Sequence, residues 1–259
     1  MTRGSLTIVG TGIKAVGQIT LDAVVCMRRA GKLLYLVGDP VTQHWMNDLN
    51  PTAESLSGCY VVGEPRPEAY RRITEMILSH VRSGTDVCAA FYGHPGVFVQ
   101  PSHNAIRIAR LEGFRAHMMP GISSEDCLFA DLSLDPGDRG CQTYEATGFV
   151  LRKPQIDSSV PLILLQIGVI GMTIHQSDTS ISSNVEILVT LLKQSYPAQH
   201  EVVVYEAAQF PICQPQIQRV QLSDLAECTM SVASTLLIPP CNVPMRYPEI
   251  AVALRTSFV

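Results

Sequence analysis

The chain has 259 residues, of which 46% are hydrophobic and 16% charged, a composition typical of a compact folded protein rather than a disordered one. Its formal net charge of −4 and its lack of basic runs argue against a broad nucleic-acid-binding surface. The apolar run before the first glycines is too short for a signal peptide, and no later run approaches about 20 residues. We therefore expect a cytoplasmic protein that binds neither nucleic acid nor membrane.

Strand-like apolar runs alternate with helical patterns in the first half of the chain. Strands are predicted at 6–10, 33–39, 86–93 and 114–119, and helices near 17–30, 67–83 and 101–112. Such alternation is typical of a parallel α/β sheet.

A second alternating block follows a helix that is predicted to begin at Ser123, capped by its hydroxyl in a capping box with Asp126. Strands are predicted at 161–168, 201–207 and 232–240, and helices near 184–195 and 248–255. We therefore predict two α/β domains, 1–122 and 123–259, with a cofactor cleft between them.

The eight cysteines and seven histidines show no spacing typical of metal ligands. No CxxC, HxxxH or HxH pattern occurs, so we expect reduced, mostly buried thiols and no metal site.

Three glycine-containing loops follow predicted strands. They are GTGIKAVG (10–17), which is predicted to open a helix, YGHPGVF (92–98) and PGISSED (120–126). Open α/β sheets bind ligands outside the carboxyl ends of their strands, so the three loops are predicted to form one ligand site. Structural explanations without a binding role stay open for two of these features. The first loop also fits a structural glycine turn, and His94 is either a base or a loop histidine hydrogen-bonded to backbone.

The segment SGCYVVGEPRPEAY (57–70) places two tyrosines around an arginine. Pro67 suits the first position of a helix, and Arg66 then lies one turn before Tyr70, so both side chains leave the same side of the helix. Tyr60 comes from the loop before it. Two phenols and a guanidinium are thus predicted to converge on a polar substrate group, although a tyrosine on an apolar stripe is also a common core residue.

These motifs carry a family resemblance. The order of GTGI, GDP (38–40), the GHPGVF loop, PGISS and a second α/β domain resembles the tetrapyrrole methylase superfamily of S-adenosylmethionine-dependent methyltransferases. Most members have Asp at the position of His94. The stretches FYGHPGVFVQPSHNAI, EGFRAHMMPGISSEDCLFADLSLDPGDRGCQTYEAT and STLLIPP look like the borosin α-N-methyltransferases, which methylate backbone amides of ribosomal peptides. The Tyr-x5-Arg-x3-Tyr pattern of those enzymes matches Tyr60, Arg66 and Tyr70.

The resemblance implies S-adenosylmethionine as cofactor, a catalytic set of Tyr60, Arg66 and Tyr70, and a homodimer. We assign the base to Tyr70 and the orientation of the peptide to Tyr60. The implied cofactor-binding residues lie in the three loops and at two later strand ends: Gly10, Gly12, Tyr92, Gly93, His94, Gly96, Val97, Phe98, Ser123, Ser124, Gln166, Ile167, Ala207 and Ala208. Since the chain ends soon after STLLIPP, whereas fused borosin enzymes carry their substrate as a C-terminal extension, we expect the substrate to be a separate precursor peptide.

Two alternatives remain open. One is a methyltransferase of the same superfamily acting on a tetrapyrrole or on ribosomal RNA; the acidic charge disfavours RNA, and the Tyr-Arg-Tyr set has no evident use on a tetrapyrrole. The other is a nicotinamide- or nucleotide-binding α/β protein with Asp39 on the ribose. Its GxGxxG fingerprint is not met, because the spacing here is GxGxxxxG.

Overall fold

A computed structural model of the protein describes residues 4–172, 181–243 and 247–255. Its strands are β1 (Ser5–Gly10), β2 (Lys32–Leu36), β3 (Glu54–Ser55), β4 (Asp86–Phe91), β5 (Arg115–Met118), β6 (Gln142–Glu145), β7 (Leu162–Leu165), β8 (Glu201–Glu206), β9 (Gln216–Gln221) and β10 (Thr235–Ile238). Its α-helices are α1 (Leu21–Arg29), α2 (Pro40–Leu49), α3 (Arg66–Arg82), α4 (Gln100–Leu111), α5 (Ser124–Leu132), α6 (Pro136–Arg139), α7 (Ala146–Arg152), α8 (Ser182–Leu192) and α9 (Pro248–Ala253).

The first sheet has the strand order β3-β2-β4-β1-β5, and its strands are parallel. The prediction of a parallel sheet in the first half of the chain is therefore confirmed. Because parallel strands end at the same edge, the segments after β1, β2, β4 and β5 all leave the carboxyl edge of this sheet.

Both faces of the first sheet are covered, which explains why its strands read as continuous apolar runs. Successive side chains point to opposite faces. Ile8 and Phe91 belong to the core cluster that includes Ile73 of α3, whereas Val9 and Ala90 belong to the cluster on the other face, which includes residues of α1 and α2.

The second sheet has the order β6-β7-β10-β8-β9. It is mixed, since β6 pairs with β7 in parallel and β10 pairs with β7 in the antiparallel sense. Its strands β7 and β10 are buried along their whole length.

The contacts divide the chain into two compact units that do not coincide with the predicted division at 122/123. The first contains Met1–Leu134, Val169–Ile181 and Tyr205–Ile217, and the second contains Asp135–Gly168, Ser182–Val204 and Gln218–Val259. Helix α5 belongs to the first unit because Cys127 and Asp131 on it hydrogen-bond to Gln18 and Tyr205, respectively.

Two helices differ from the sequence-based expectation. The helix expected at 17–30 begins only at Leu21, because Val16 has φ 58° in the preceding turn and Thr20 caps the helix by accepting from the Ala23 N–H at 3.2 Å. Helix α2 was not predicted, although Asp39 caps it by accepting from the Thr42 N–H at 2.7 Å. An Asp-Pro pair at a helix start is the signal that was available.

The expectation of mostly buried thiols is wrong. Only Cys88 and Cys127 are buried, Cys213 is exposed, and the other five cysteines are half-buried. In the part of the chain that the structure describes, no helix is both long and apolar enough to span a bilayer.

Candidate active site

Two of the glycine loops pair directly at the carboxyl edge of the first sheet. The Gly93 N–H donates to the Gly12 carbonyl at 2.9 Å, and the Gly12 N–H donates to the Gly93 carbonyl at 3.3 Å. Both residues have left-handed backbones, with φ +71° at Gly12 and +72° at Gly93. Glycine is needed at both because a Cβ disfavours this conformation.

The third loop joins them at Gly10. A Cβ added to Gly10 would lie 2.3 Å from the Gly93 carbonyl oxygen, 2.8 Å from Pro95 Cδ and 3.1 Å from Gly121 Cα. The three loops therefore lie together, as the sequence predicted. Position 10 has no room for a side chain because the three loops pack against one another there, and the cofactor role of Gly10 stays a prediction.

His94 is a loop histidine bonded to backbone. Its Nδ1 accepts a hydrogen bond from the Gly96 N–H at 2.9 Å, and its carbonyl accepts from the Val97 N–H at 3.0 Å. An Nδ1 that accepts leaves the proton of the neutral ring on Nε2. An aspartate at this position would accept the same N–H in an Asx turn, which explains how His94 replaces the usual Asp.

A second imidazole holds the same loop. His103 of α4 places Nε2 2.9 Å from the Gly96 carbonyl, and Ser102 donates to the Pro95 carbonyl. At the end of the loop, Phe98 has a left-handed backbone with φ 55°. A non-glycine residue in this region is uncommon and marks a loop that its surroundings constrain.

Tyr92 follows β4 and presents a neutral phenol. Burial raises its pKa to about 12, and the neighbouring Cys127, Glu206 and Asp39 raise that pKa further. The hydroxyl is therefore a hydrogen-bond donor at neutral pH, in surroundings that carry two carboxylates.

The predicted capping box at the start of α5 is confirmed. The Ser123 hydroxyl accepts from the Asp126 N–H at 3.2 Å and donates to Asp126 Oδ2 at 2.6 Å, and the Ser123 N–H donates to the same oxygen at 2.7 Å. The Ser123 side chain is thus engaged in the helix cap. Ser124 is the first residue of α5, and its cofactor role stays a prediction.

Ala207 and Ala208 follow β8, in a segment that contacts the first glycine loop. The Ala15 N–H donates to the Gln209 carbonyl at 2.8 Å. Gln166 and Ile167 follow β7 in the second unit; Gln166 has φ 61° and Ile167 is buried. Their cofactor roles stay predictions.

The two tyrosines of the predicted catalytic set lie against each other. The ring centroids of Tyr60 and Tyr70 are 6.4 Å apart, with an interplanar angle of 86°. Arg66 is the first residue of α3, one turn before Tyr70. Burial raises the pKa of Tyr60 to about 12; Tyr70 adds to the rise, and the positive charge of Arg66 opposes it. The three residues therefore share one electrostatic environment.

Sequence reasoning missed two polar side chains that hold these loops. Gln18 accepts from the N–H groups of Ile13 and Lys14, both at 2.9 Å, which fixes the turn after Gly12. Arg72 donates to the loop that carries Tyr60. A polar side chain directly after a glycine-rich turn was the available signal for Gln18, whereas Arg72 reads as an ordinary surface residue of a helix. Among residues 4–172, 181–243 and 247–255, no cluster of three His, Cys, Asp or Glu side chains suits a metal ion.

The chain belongs to the family of Tetrapyrrole (Corrin/Porphyrin) Methylases, which its residues 5–226 match. Members of this family use S-adenosylmethionine as methyl donor. Among curated proteins, this chain is 42% identical over 241 residues to two proteins named as a methyltransferase together with a ribosomally synthesised cyclic peptide precursor. They are the dendrothelin A precursor of Dendrothele bispora and the omphalotin A precursor of Omphalotus olearius. The match covers 92% of this chain and 58% of each relative. A type I borosin precursor of Coprinopsis marcescibilis is 38% identical over 262 residues.

Solved structures support the same fold. Uroporphyrin-III-C-methyltransferase from Thermus thermophilus has a TM-score of 0.65 at 20% identity, with 92% of this chain and 93% of that chain covered. Diphthine synthase has a TM-score of 0.61 at 14% identity, with 92% and 91% covered. The predicted tetrapyrrole methylase-like α/β fold is therefore confirmed, while the predicted cofactor cleft between domains stays a prediction.

Proposed function

We propose that this methyltransferase acts on backbone amide nitrogens of a ribosomally made precursor peptide. The observation that carries the proposal is the contact between Tyr60 and Tyr70 beside Arg66, in a chain 42% identical to methyltransferases that are named with cyclic peptide precursors. This set combines a guanidinium that can bind a carbonyl oxygen with phenols that can donate a hydrogen bond or take part in proton transfer.

The residues at the carboxyl edge of the first sheet fit S-adenosylmethionine, which supplies an electrophilic methyl group when bound. The molecule carries hydroxyls and an ammonium group, for which carboxylates and backbone carbonyls are suitable partners. Asp39 and Glu206 place negative charge near Tyr92, whose neutral phenol is a donor. The binding residues would come from the three glycine loops and from Ala207 and Ala208, and Gln166 and Ile167 are the remaining predicted members of the set.

A peptide nitrogen is a poor nucleophile because its lone pair is delocalised into the carbonyl group. In the proposed mechanism, the Arg66 guanidinium donates to the carbonyl oxygen as negative charge develops on it, a contribution of about 3 kcal/mol for one donor. Tyr70, as the phenolate, accepts the amide proton and becomes a neutral phenol. The raised pKa of Tyr60 keeps that phenol neutral, which suits the role of a donor that orients the peptide.

The test uses a synthetic peptide taken from the precursor region of the Omphalotus olearius relative, incubated with the protein and S-adenosylmethionine. We expect mass increments of one methylene, located on backbone nitrogens by fragmentation. Tyr70→Phe keeps the ring and removes the proton acceptor, so it should lower the rate by about 10²- to 10⁴-fold. Tyr144→Phe, a half-buried tyrosine that contacts Phe149, is the matched control. Methylation of a side chain, or a Tyr70→Phe rate near that of the control, would overturn the proposal.

The separate identity of the substrate peptide, the homodimer and the cytoplasmic location stay predictions. The matched relatives carry their precursor within the same chain, and the chain spans about 58% of their length. Intact-mass measurement of the protein after incubation with S-adenosylmethionine alone tests the first point, because self-methylation would contradict a separate substrate.

A further inference from the structure

Tyr60 packs against the core cluster of the first sheet, but the loop that it begins is exposed at its outer part. This Tyr60 loop, residues 60–65, joins a 3-10 helix (Ser57–Cys59) to α3 and contains a turn closed by the Glu64 N–H and the Val61 carbonyl at 3.2 Å. Val61 and Val62 are 45% and 80% exposed. The outer part of the loop therefore buries little apolar surface that would fix its position.

Arg72 of α3 donates hydrogen bonds to one residue before Tyr60 and one residue after it in the sequence. Its Nε donates to the Cys59 carbonyl at 2.9 Å, and its Nη2 donates to Glu64 Oε2 at 2.6 Å. The planar guanidinium is a rigid fork, so its two bonds fix the direction as well as the distance of what they hold. The residue before Tyr60 and the carboxylate four residues after it are thus held on α3, the helix that carries Arg66 and Tyr70.

The ion pair between Arg72 and Glu64 fixes the position of the loop more than it stabilises the fold. Their side chains are 31% and 42% exposed, and ion pairs at such exposure add little to the free energy of folding. The contact between Tyr60 and Tyr70, in contrast, depends on where the backbone leaves Cys59. A displacement of about 1 Å at a catalytic group is enough to cost roughly 10²-fold in rate.

We propose that Arg72 is a positioning residue, which holds the Tyr60 loop on α3 so that Tyr60 faces Tyr70 and Arg66. The inference rests on the proposed function for its effect on rate. Arg72 itself acts only through Tyr60, with no contact to the peptide or the cofactor assigned to it.

Arg72→Met keeps the apolar stem and removes both donors. We expect kcat to fall by about 10- to 100-fold while KM for S-adenosylmethionine stays within about twofold of wild type, because the glycine loops are untouched. Arg72→Lys keeps a charge but cannot bridge two acceptors as a fork does, so it should recover part of the rate. The matched control is Arg71→Met: Arg71 is the neighbouring arginine, and its partner Glu68, at 3.2 Å, lies on the same helix rather than on the loop. The control should leave kcat unchanged.

Glu64→Gln separates the two bonds of Arg72. It leaves the Cys59 bond in place, so its loss in kcat should be smaller than that of Arg72→Met. If the two residues act as one unit, the double variant should be no slower than Arg72→Met alone. Additive losses would overturn the inference that both bonds serve one loop position.

Alkylation of Cys59 gives a readout that needs no methyl transfer. Cys59 is half-buried, and iodoacetamide labelling followed by peptide mass mapping reports how often the adjoining loop opens. The loss of the Arg72 charge raises the pKa of the Cys59 thiol and by itself slows alkylation, so faster labelling reports greater access to the thiol. We expect faster labelling in Arg72→Met than in wild type or Arg71→Met, measured well below the melting temperature of each variant. If the wild type methylates no peptide but Cys59 labels faster in Arg72→Met, the proposed function fails while the positioning contact stands. Labelling and kcat equal to those of Arg71→Met would overturn the inference.

Discussion

Replacing Gly10 by alanine tests whether the three glycine loops require their close packing. The added Cβ would lie 2.3 Å from the Gly93 carbonyl oxygen and 3.1 Å from Gly121 Cα, both backbone atoms that cannot rotate away. The Gly93 carbonyl is also held by the Gly12 N–H at 3.3 Å. Overpacking of this kind costs about 1–3 kcal/mol, and contact with backbone on two sides favours the upper value. For a chain of this size, about 3 kcal/mol corresponds to a loss of roughly 6–12 °C in Tm.

The assay is thermal unfolding of Gly10→Ala beside Gly38→Ala as a matched control. A Cβ at Gly38 meets no atom within 4 Å, so this variant should keep the wild-type Tm or gain up to about 1 kcal/mol through a less flexible unfolded chain. Calorimetry at a temperature where both variants are folded then measures their affinity for S-adenosylmethionine, which depends on the cofactor loops. A Gly10→Ala protein with the Tm and cofactor affinity of the control would refute the close packing of the loops.

Two further predictions concern the cofactor loop and Tyr60. In Gly96→Val the added Cβ would lie 3.0 Å from the His94 ring and 3.1 Å from Met118 Sδ, and both side chains can move aside. We therefore expect a near-normal Tm but at least about tenfold weaker binding of S-adenosylmethionine by calorimetry. An unchanged affinity would show that the cofactor binds elsewhere. Burial raises the pKa of Tyr60 from 10.0 to about 12, so between those values the folded chain binds more protons than the unfolded one and stability falls as pH rises. Tyr60→Phe should make that alkaline fall shallower in urea titrations, and an identical pH slope would contradict the burial of this phenol.

Local signals in the sequence were sufficient to predict the elements that depend on residues close together in the chain. The alternation of strand-like apolar runs with helical patterns predicted the parallel sheet in which β1 and β4 pair. The capping box of Ser123 and Asp126 was predictable because both residues lie within one helical turn. The spacing of Arg66 and Tyr70 on α3 was predictable for the same reason.

Other features needed the tertiary structure. Helix α2 was missed because the strand pattern before Asp39 outweighed a capping signal of only two residues. The grouping of α5 with the segment that begins at Tyr205 depends on contacts such as the hydrogen bond between Asp131 and Tyr205, which are 74 residues apart in the sequence. No local pattern reports a contact at that separation.

The amino-acid sequence by itself determined the parallel sheet, the three glycine loops and the Tyr-Arg-Tyr spacing, because each is written in residues close together in the chain. Only the tertiary structure decided how these parts are used. Gly10 is required by backbone that follows β4 and β5, His94 holds a turn through its Nδ1, and Arg72 bonds on both sides of Tyr60. These roles depend on distances between backbone groups that folding brings together, and hydrogen bonds and van der Waals contacts act only over a few ångströms.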